Sequence, residues 1–294
     1  FFFSYYHFII LNNILKFSHM LINEKNKSLI ALFISALFFG STFLIVKNLL
    51  STFSPTFVVF LRYIIAAIVF AIIGGLPKKI AWKPGIFMGF FLWLGYVTQT
   101  QGLVTTSTIN SGVVTGFYIV LTPFLSKFLN NTNLETKNYV YSIVGFTGIV
   151  LISINDVSQV FGNLFTLICA GAYAMHIVLV ERYVKNQNIS QLMFVQSLTG
   201  GILCLPLISF SEFQFFPDYL MPIIFLGLVV NVGAFYLQLY GQKIIKASTS
   251  ALILSLEAIF ALFIGIIVAN EYLNLLNWFG VILVLMSIFF VIKE

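Results

Sequence analysis

Charge is what this sequence lacks most. Only 8% of its 294 residues are Asp, Glu, Lys or Arg, against about 25% in an average soluble domain. With 60% hydrophobic residues and a mean hydropathy of +1.03, a water-soluble globule of this size could not cover its surface. That excludes a soluble enzyme and a disordered chain alike. Histidine and cysteine are scarce too, at 3 and 2 residues. Cys169 and Cys204 stand singly in apolar runs and read as small hydrophobic residues with no disulfide framework. No HExxH, no paired His–Cys set and no phosphate-cradling glycine loop occurs. The sequence therefore implies no metal, no cofactor and no catalytic residue. The polar–apolar alternation of a membrane barrel is missing as well.

What is present is a series of long apolar runs. A helix needs about 20 apolar residues to cross the hydrocarbon core. Ten runs qualify: Leu29–Leu50, Pro55–Gly74, Pro84–Gln101, Ser107–Phe128, Asn138–Ile154, Asn163–Tyr183, Ser190–Phe210, Tyr219–Gln242, Ser248–Asn270 and Leu275–Ile292. The breaks between them, such as Pro77-Lys78-Lys79 and Asn130-Asn131-Thr132-Asn133, are too short to fold separately. With no soluble domain to hold a nucleotide, ATP drive is excluded. The expected fold is an all-α membrane protein of ten transmembrane helices.

Orientation follows from the few charges. If Lys25 and Lys27 face the cytoplasm, so do Lys78, Lys79, Lys83, Lys127, Lys137, Arg182, Lys185, Lys243, Lys246 and Lys293. The opposite loops hold Asp156, Glu212, Asp218 and Glu271, with Lys47 the one basic residue near them. The net charge of +6 is then a topology signal with both termini cytoplasmic, and no nucleic-acid partner is needed to explain it. Residues 1–28 fit less well. They are aromatic, interrupted by Asn12, Asn13 and Lys16, and lack a signal-peptide pattern. The expectation is a non-native or disordered segment upstream of a start at Met20; the alternative is an eleventh span.

The chain also matches itself. A shift of 134 lays Leu37–Phe70 on Gly171–Cys204, so that Thr42 meets His176, Lys47 meets Glu181 and Arg62 meets Gln196. Thr122-Pro123 followed by Glu135 likewise resembles Glu257-Ala258 followed by Glu271. Five spans per half is odd, so the second half must enter the membrane the other way up. The expectation is two inverted five-helix repeats, 29–154 and 163–292. Repeats of this kind mark secondary transporters, with the substrate near the midplane.

The run from Lys246 to Phe290, with Ser248-Thr249-Ser250-Ala251, Glu257-Ala258 and Glu271, resembles the closing signature of the EamA family of the drug/metabolite transporter superfamily. Phe39-Gly40-Ser41-Thr42, Arg62, Thr106 to Gly112 and Leu121-Thr122-Pro123 are similar to the family pattern in the first half. Phe39 stands where the family usually has Trp, and Ala258 where it has Pro; the second departure puts a helix break there in question. The resemblance implies a carrier in the cell (inner) membrane of a bacterium, monomeric or homodimeric. Its partners would be the lipid bilayer, a small-molecule substrate, and a proton or an exchanged counter-substrate for coupling. Amino acids and nucleotide-like or S-adenosylmethionine-like solutes are the substrates it suggests.

Helical spacing groups the polar residues inside the spans. Ser111, Thr115, Tyr118 and Thr122 form a stripe in the fourth run, with Asn110 beside it. Trp93, Tyr96 and Gln99 recur in the third, and Asn231, Phe235 and Gln238 in the eighth. Ser41, Thr42 and His176 stand more alone. Each reads as cavity lining or as packing, because Ser and Thr in membrane helices also bond their own backbone and glue helices together. Trp93, Tyr96, Tyr118 and Phe235 offer faces for an aromatic moiety, and Gln99, Asn231 and Gln238 offer hydrogen bonds. Gly85/Gly89, Gly112/Gly116, Ala170/Ala174 and Ala261/Gly265 read as close helix contacts.

Two charged residues lie inside the spans. Glu257 is either a proton carrier or a neutral acid bonded to a neighbouring helix. Arg62 either binds a substrate carboxylate or phosphate, snorkels to the interface, or caps carbonyls at an outer gate. The function this supports is alternating-access transport of a small polar or amphipathic metabolite; the alternatives are a passive channel and a non-transporting scaffold.

Overall fold

The computed structural model describes residues 23–131, 136–153, 157–209, 212 and 217–292. Among these the chain is helical and contains no strand. The expectation for residues 1–22, including the start at Met20, lies outside the described residues.

Local sequence explains where the helices begin. Asn23 caps α1 (Glu24–Leu49), Ser54 caps α2 (Pro55–Gly74) with Pro55 in the first turn, and Ser107 caps α4 (Thr108–Gly116). Helix α1 thus starts five residues before the expected Leu29, because Asn23 accepts from the Lys25 N–H. Helix α3 (Lys79–Leu103) carries Pro84 near its start, and α5 (Tyr118–Asn130) ends on left-handed Asn131. The chain continues through α6 (Thr136–Ser153), α7 (Val157–Tyr183), α8 (Ile189–Cys204) and α9 (Pro217–Ile224). A π-helical stretch over Phe225–Ala234 then leads into α10 (Phe235–Gln242). Last come α11 (Ala247–Leu254), α12 (Leu256–Ile267) and α13 (Leu275–Ile292).

Eight spans among the described residues are long and apolar enough to cross a membrane, counting α4–α5, α9–α10 and α11–α12 as one each. Helices α6 and α13 pack along each other. Large apolar side chains point outward along the helices, Ile72 at 79% exposure and Phe128 at 81% among them. The protein is an integral, multi-pass membrane protein, and these residues face lipid.

Two of the long spans bend at one residue. Phe117 (ψ −13°) separates α4 from α5, and Ser255 (ψ −10°) separates α11 from α12. At both points the turn tightens to an i→i+3 bond: Phe117 N–H to Val114 and Ala258 N–H to Ser255. The second bend forms although Ala258 supplies no proline. Ser255 bonds the Leu252 carbonyl at 2.7 Å, a back-bond of the kind that bends helices.

Small residues set the helix contacts. Helix α3 lies against α7 and α8, with Gly89 on α8: a Cβ there would sit 2.7 Å from the Gln196 carbonyl and 2.9 Å from its Cα. Gly112 lies against the Ala261 methyl group. Backbone has no rotamer with which to yield, so Gly89→Val is expected to destabilise the fold by about 1–3 kcal/mol. Thermal unfolding in detergent checks this, and an unshifted transition would remove Gly89 from the contact.

Candidate functional site

Arg62 on α2 is 1% exposed, although it lies in a lipid-spanning helix. Burial rules out snorkelling. Its Nε donates to Asn231 Oδ1 at 3.1 Å and its Nη2 donates to the Tyr96 hydroxyl at 2.6 Å. The Tyr96 hydroxyl in turn donates to Asn231 Oδ1 at 2.7 Å. The guanidinium carbon lies 3.8 Å from the Tyr96 ring centre, a cation–π contact. Asn231 reaches this cluster from the π-helical stretch, where the wider turn shifts the side chains that follow.

Glu257 occupies the first turn of α12, immediately after the Ser255 bend, and is 3% exposed. Tyr118, one residue past the first bend, and Glu257, two residues past the second, thus reach the same cavity. Arg62, Tyr96, Tyr118 and Glu257 line one narrow cavity of about 30 Å³ together with Thr42, Gln99, His176, Phe235 and Gln238.

The remaining expected residues fall elsewhere. Ser41 bonds the Phe38 carbonyl on its own helix. Trp93 packs against Phe90. Thr115 accepts from Gln99 Nε2 at 3.2 Å, and Ser111 lies 3.5 Å from Thr166 on α7. These two support the cavity wall from behind. Asn110 donates to Gln159 at 2.9 Å and lines a separate cleft with Ser107, Asn274 and Asn277. Asn231 stands one bond behind the lining, through Arg62 and Tyr96. His176 and Gln196, each isolated in sequence, lie 3.4 Å apart.

Three lining residues carried no sequence signal, Tyr173, Ile177 and Leu254, and Phe39 stood out only as part of the family-like Phe39-Gly40-Ser41-Thr42 run. Phe39 packs on Phe235 with a tilt of 49° at 4.7 Å, and Tyr96 meets Phe235 at 5.9 Å and Tyr173 at 6.1 Å. Together they give the cavity an aromatic wall. Among the described residues no cluster of His, Cys, Asp and Glu fits a metal ion.

At the end of the bundle that carries the acidic loops, carboxylates close helix ends. Glu271 accepts from the Thr108 N–H at 2.6 Å and from the Ile109 N–H at 2.9 Å, holding the start of α4 from the loop after α12. Lys47 donates to the Thr106 carbonyl beside it. Glu212 accepts from the Ser54 backbone N–H and hydroxyl at 3.3 and 2.8 Å, at the start of α2. Anions at helix N-termini are favourable, and hydrogen bonds to them are among the stronger ones. Glu271→Ala is expected to cost about 1–3 kcal/mol, read as a lower unfolding temperature; an unchanged temperature would show that the cap contributes nothing.

The profile of the EamA-like transporter family matches residues 26–154 and again 160–293. An uncharacterized transporter of Archaeoglobus fulgidus is 30% identical over 260 residues, covering 87% of this chain and 82% of its own. An S-adenosylmethionine uptake transporter of Rickettsia conorii is 24% identical over 212 residues, 70% of each chain. A solved crystal structure superimposes with a TM-score of 0.66 at 14% identity, over 89% of this chain and 94% of that one, and so shares its fold.

Proposed function

The chain belongs to the EamA-like transporter family, and on that premise we propose that it is a secondary carrier that moves a small polar or amphipathic metabolite by alternating access. The observation that carries this reading is the cavity at the two helix bends, where a buried arginine and a buried glutamate face the same space. Ionisable groups inside a membrane protein mark substrate or ion pathways, and bent spans around a central site suit a carrier whose parts rock about it.

Ten spans in two inverted five-helix repeats, 29–154 and 163–292, are the architecture we infer. The family profile matching twice supports it, and so do the paired bends at Phe117 and Ser255. Thr42 and His176, paired by the internal shift, both reach the cavity. Both termini then lie in the cytoplasm, with the protein in a bacterial cell membrane. The aromatic wall and the amides of Gln99 and Gln238 fit an amino acid or a nucleotide-like solute. The name of the Rickettsia relative supports a solute of the S-adenosylmethionine kind.

Purified protein in liposomes preloaded with unlabelled metabolite is expected to show saturable counterflow of the labelled form. Linear flux would replace the carrier with a channel, and no flux of any candidate would replace it with a scaffold.

A further inference from the structure

We propose a second ligand site, apart from the central cavity, in the cleft between the starts of α4, α7 and α13; it takes an uncharged polyhydroxyl group, a sugar or polyol. The site goes beyond the carrier reading and does not rest on it. Asn110, Gln159, Asn274 and Asn277 line the cleft together with Ser107 and Tyr272. Its volume is about 440 Å³, within the range of about 300–1,000 Å³ typical of small-molecule sites. The central cavity, at about 30 Å³, is far narrower. Asn110 precedes Tyr118 by two helical turns on the same span, so about 12 Å of helix separates the two spaces.

The lining chemistry names the ligand class. Each of the four carboxamides offers both donors and an acceptor, and among the described residues no charged side chain lines the cleft. Nothing there would offset the desolvation of a carboxylate, phosphate or ammonium group. Hydroxyl groups donate and accept at once, so they match carboxamides from any side. Tyr272, 95% exposed, supplies the one aromatic ring in this lining. A sugar ring has an apolar C–H face to lay on it and a polar edge to turn toward the amides.

An unpaired atom points the same way. Asn110 is 2% exposed and donates from Nδ2 to Gln159 Oε1 at 2.9 Å, yet its Oδ1 has no hydrogen-bond partner. A buried acceptor is costly until something donates to it. A vicinal diol that turns the flexible Gln159 side chain aside donates to Oδ1 with one hydroxyl and accepts from Nδ2 with the other. The frame around this atom is already fixed. Ser107 Oγ accepts from the Asn110 N–H at 3.0 Å and Asn274 Oδ1 from the Asn277 N–H at 2.8 Å. Glu271, next to Tyr272, ties the two walls together through the Thr108 and Ile109 N–H groups.

The test uses the purified full chain in detergent, with calorimetry and thermal shift as readouts. The probes are D-glucose, D-ribose, myo-inositol and glycerol, with gluconate and glucosamine as charged counterparts and adenine as a planar base. At least one neutral polyol is expected to bind with millimolar affinity. Asn110→Leu is expected to weaken that binding about tenfold or more and to unfold no earlier than the parent, since leucine fills similar space and removes the unpaired acceptor. Tyr272→Ala, at an exposed position, should weaken it as well, whereas Arg62→Met should bind the polyol as the parent does. Phosphatidylcholine vesicles with and without a neutral glycosyl lipid separate the two sources of such a group. Displacement of the bound polyol by the glycosyl lipid alone makes a lipid head group the ligand, and no displacement makes it a free solute. The proposal is overturned if no polyol binds, if gluconate, glucosamine or adenine binds more tightly than every neutral polyol, or if binding survives Asn110→Leu and Tyr272→Ala. Loss in Arg62→Met would also overturn it, by moving the ligand to the central cavity. Saturable counterflow tests the carrier reading separately, whichever of these results is found.

Discussion

Arg62→Met is expected to reduce transport about 30-fold or more while leaving the fold as stable as before. Loss of a buried charge that anchors a ligand costs about 2–5 kcal/mol, of which each 1.4 kcal/mol is a factor of ten. The stability side runs the other way. A charged side chain at the centre of a membrane helix costs about 2.5–3.5 kcal/mol. The two hydrogen bonds and the Tyr96 cation–π contact return a comparable amount, about 0.5–2 kcal/mol for the latter. Methionine fills similar space with apolar atoms, and the Tyr96–Asn231 bond at 2.7 Å survives, so no acceptor is orphaned. Apolar replacement of buried charge is often neutral or stabilising. Counterflow and thermal unfolding on one preparation separate the two roles. A variant that unfolds well below the parent would assign Arg62 to the fold, and undiminished counterflow would take it out of the site.

The sequence made the helices visible because span length and polar punctuation are one-dimensional signals. Pro55–Gly74 needs only an apolar run bounded by Ser54 and Gly75. The cavity is three-dimensional, and its residues were legible only where chemistry marked them. Arg62 and Glu257 stand out because charge in a span is costly. Tyr173 did not, since one ring among 13 Tyr carries no local sign of what it faces. Spacing misled at Trp93. A step of three falls about 60° short of a full helical turn, so Trp93 drifts off the face that Tyr96 and Gln99 share and packs on Phe90 instead. The Ser111–Thr115–Tyr118 stripe is aligned, yet the bend at Phe117 turns Tyr118 into the cavity and leaves the two smaller side chains against α3 and α7. Gln196 had to wait for its partner, because His176 is 20 residues away on another helix.

Acidification is expected to weaken binding of a cationic group at Glu257, and Glu257→Gln to abolish that dependence. Glu257 Oε1 is buried without a hydrogen-bond partner. A proton and an ammonium group therefore compete for the carboxylate. Once the medium is acidic enough to protonate Glu257, affinity should fall about tenfold per pH unit, because each binding event must displace one proton; in more alkaline medium it should be flat. The groups that face Glu257 across the cavity are Arg62 from α2, Tyr96 from α3, Tyr118 from α5, and Tyr173 and His176 from α7. His176 is the imidazole in this lining able to impose such a profile, and His176→Asn is the control expected to retain the parent slope. In liposomes the same competition exchanges a proton for a solute's cationic group. A pH gradient should then drive accumulation of such a solute by the parent protein and none by Glu257→Gln, whose counterflow of a solute without a cationic group should persist. A pH slope kept by Glu257→Gln and lost by His176→Asn would move the coupling to the α7–α8 pair of His176 and Gln196.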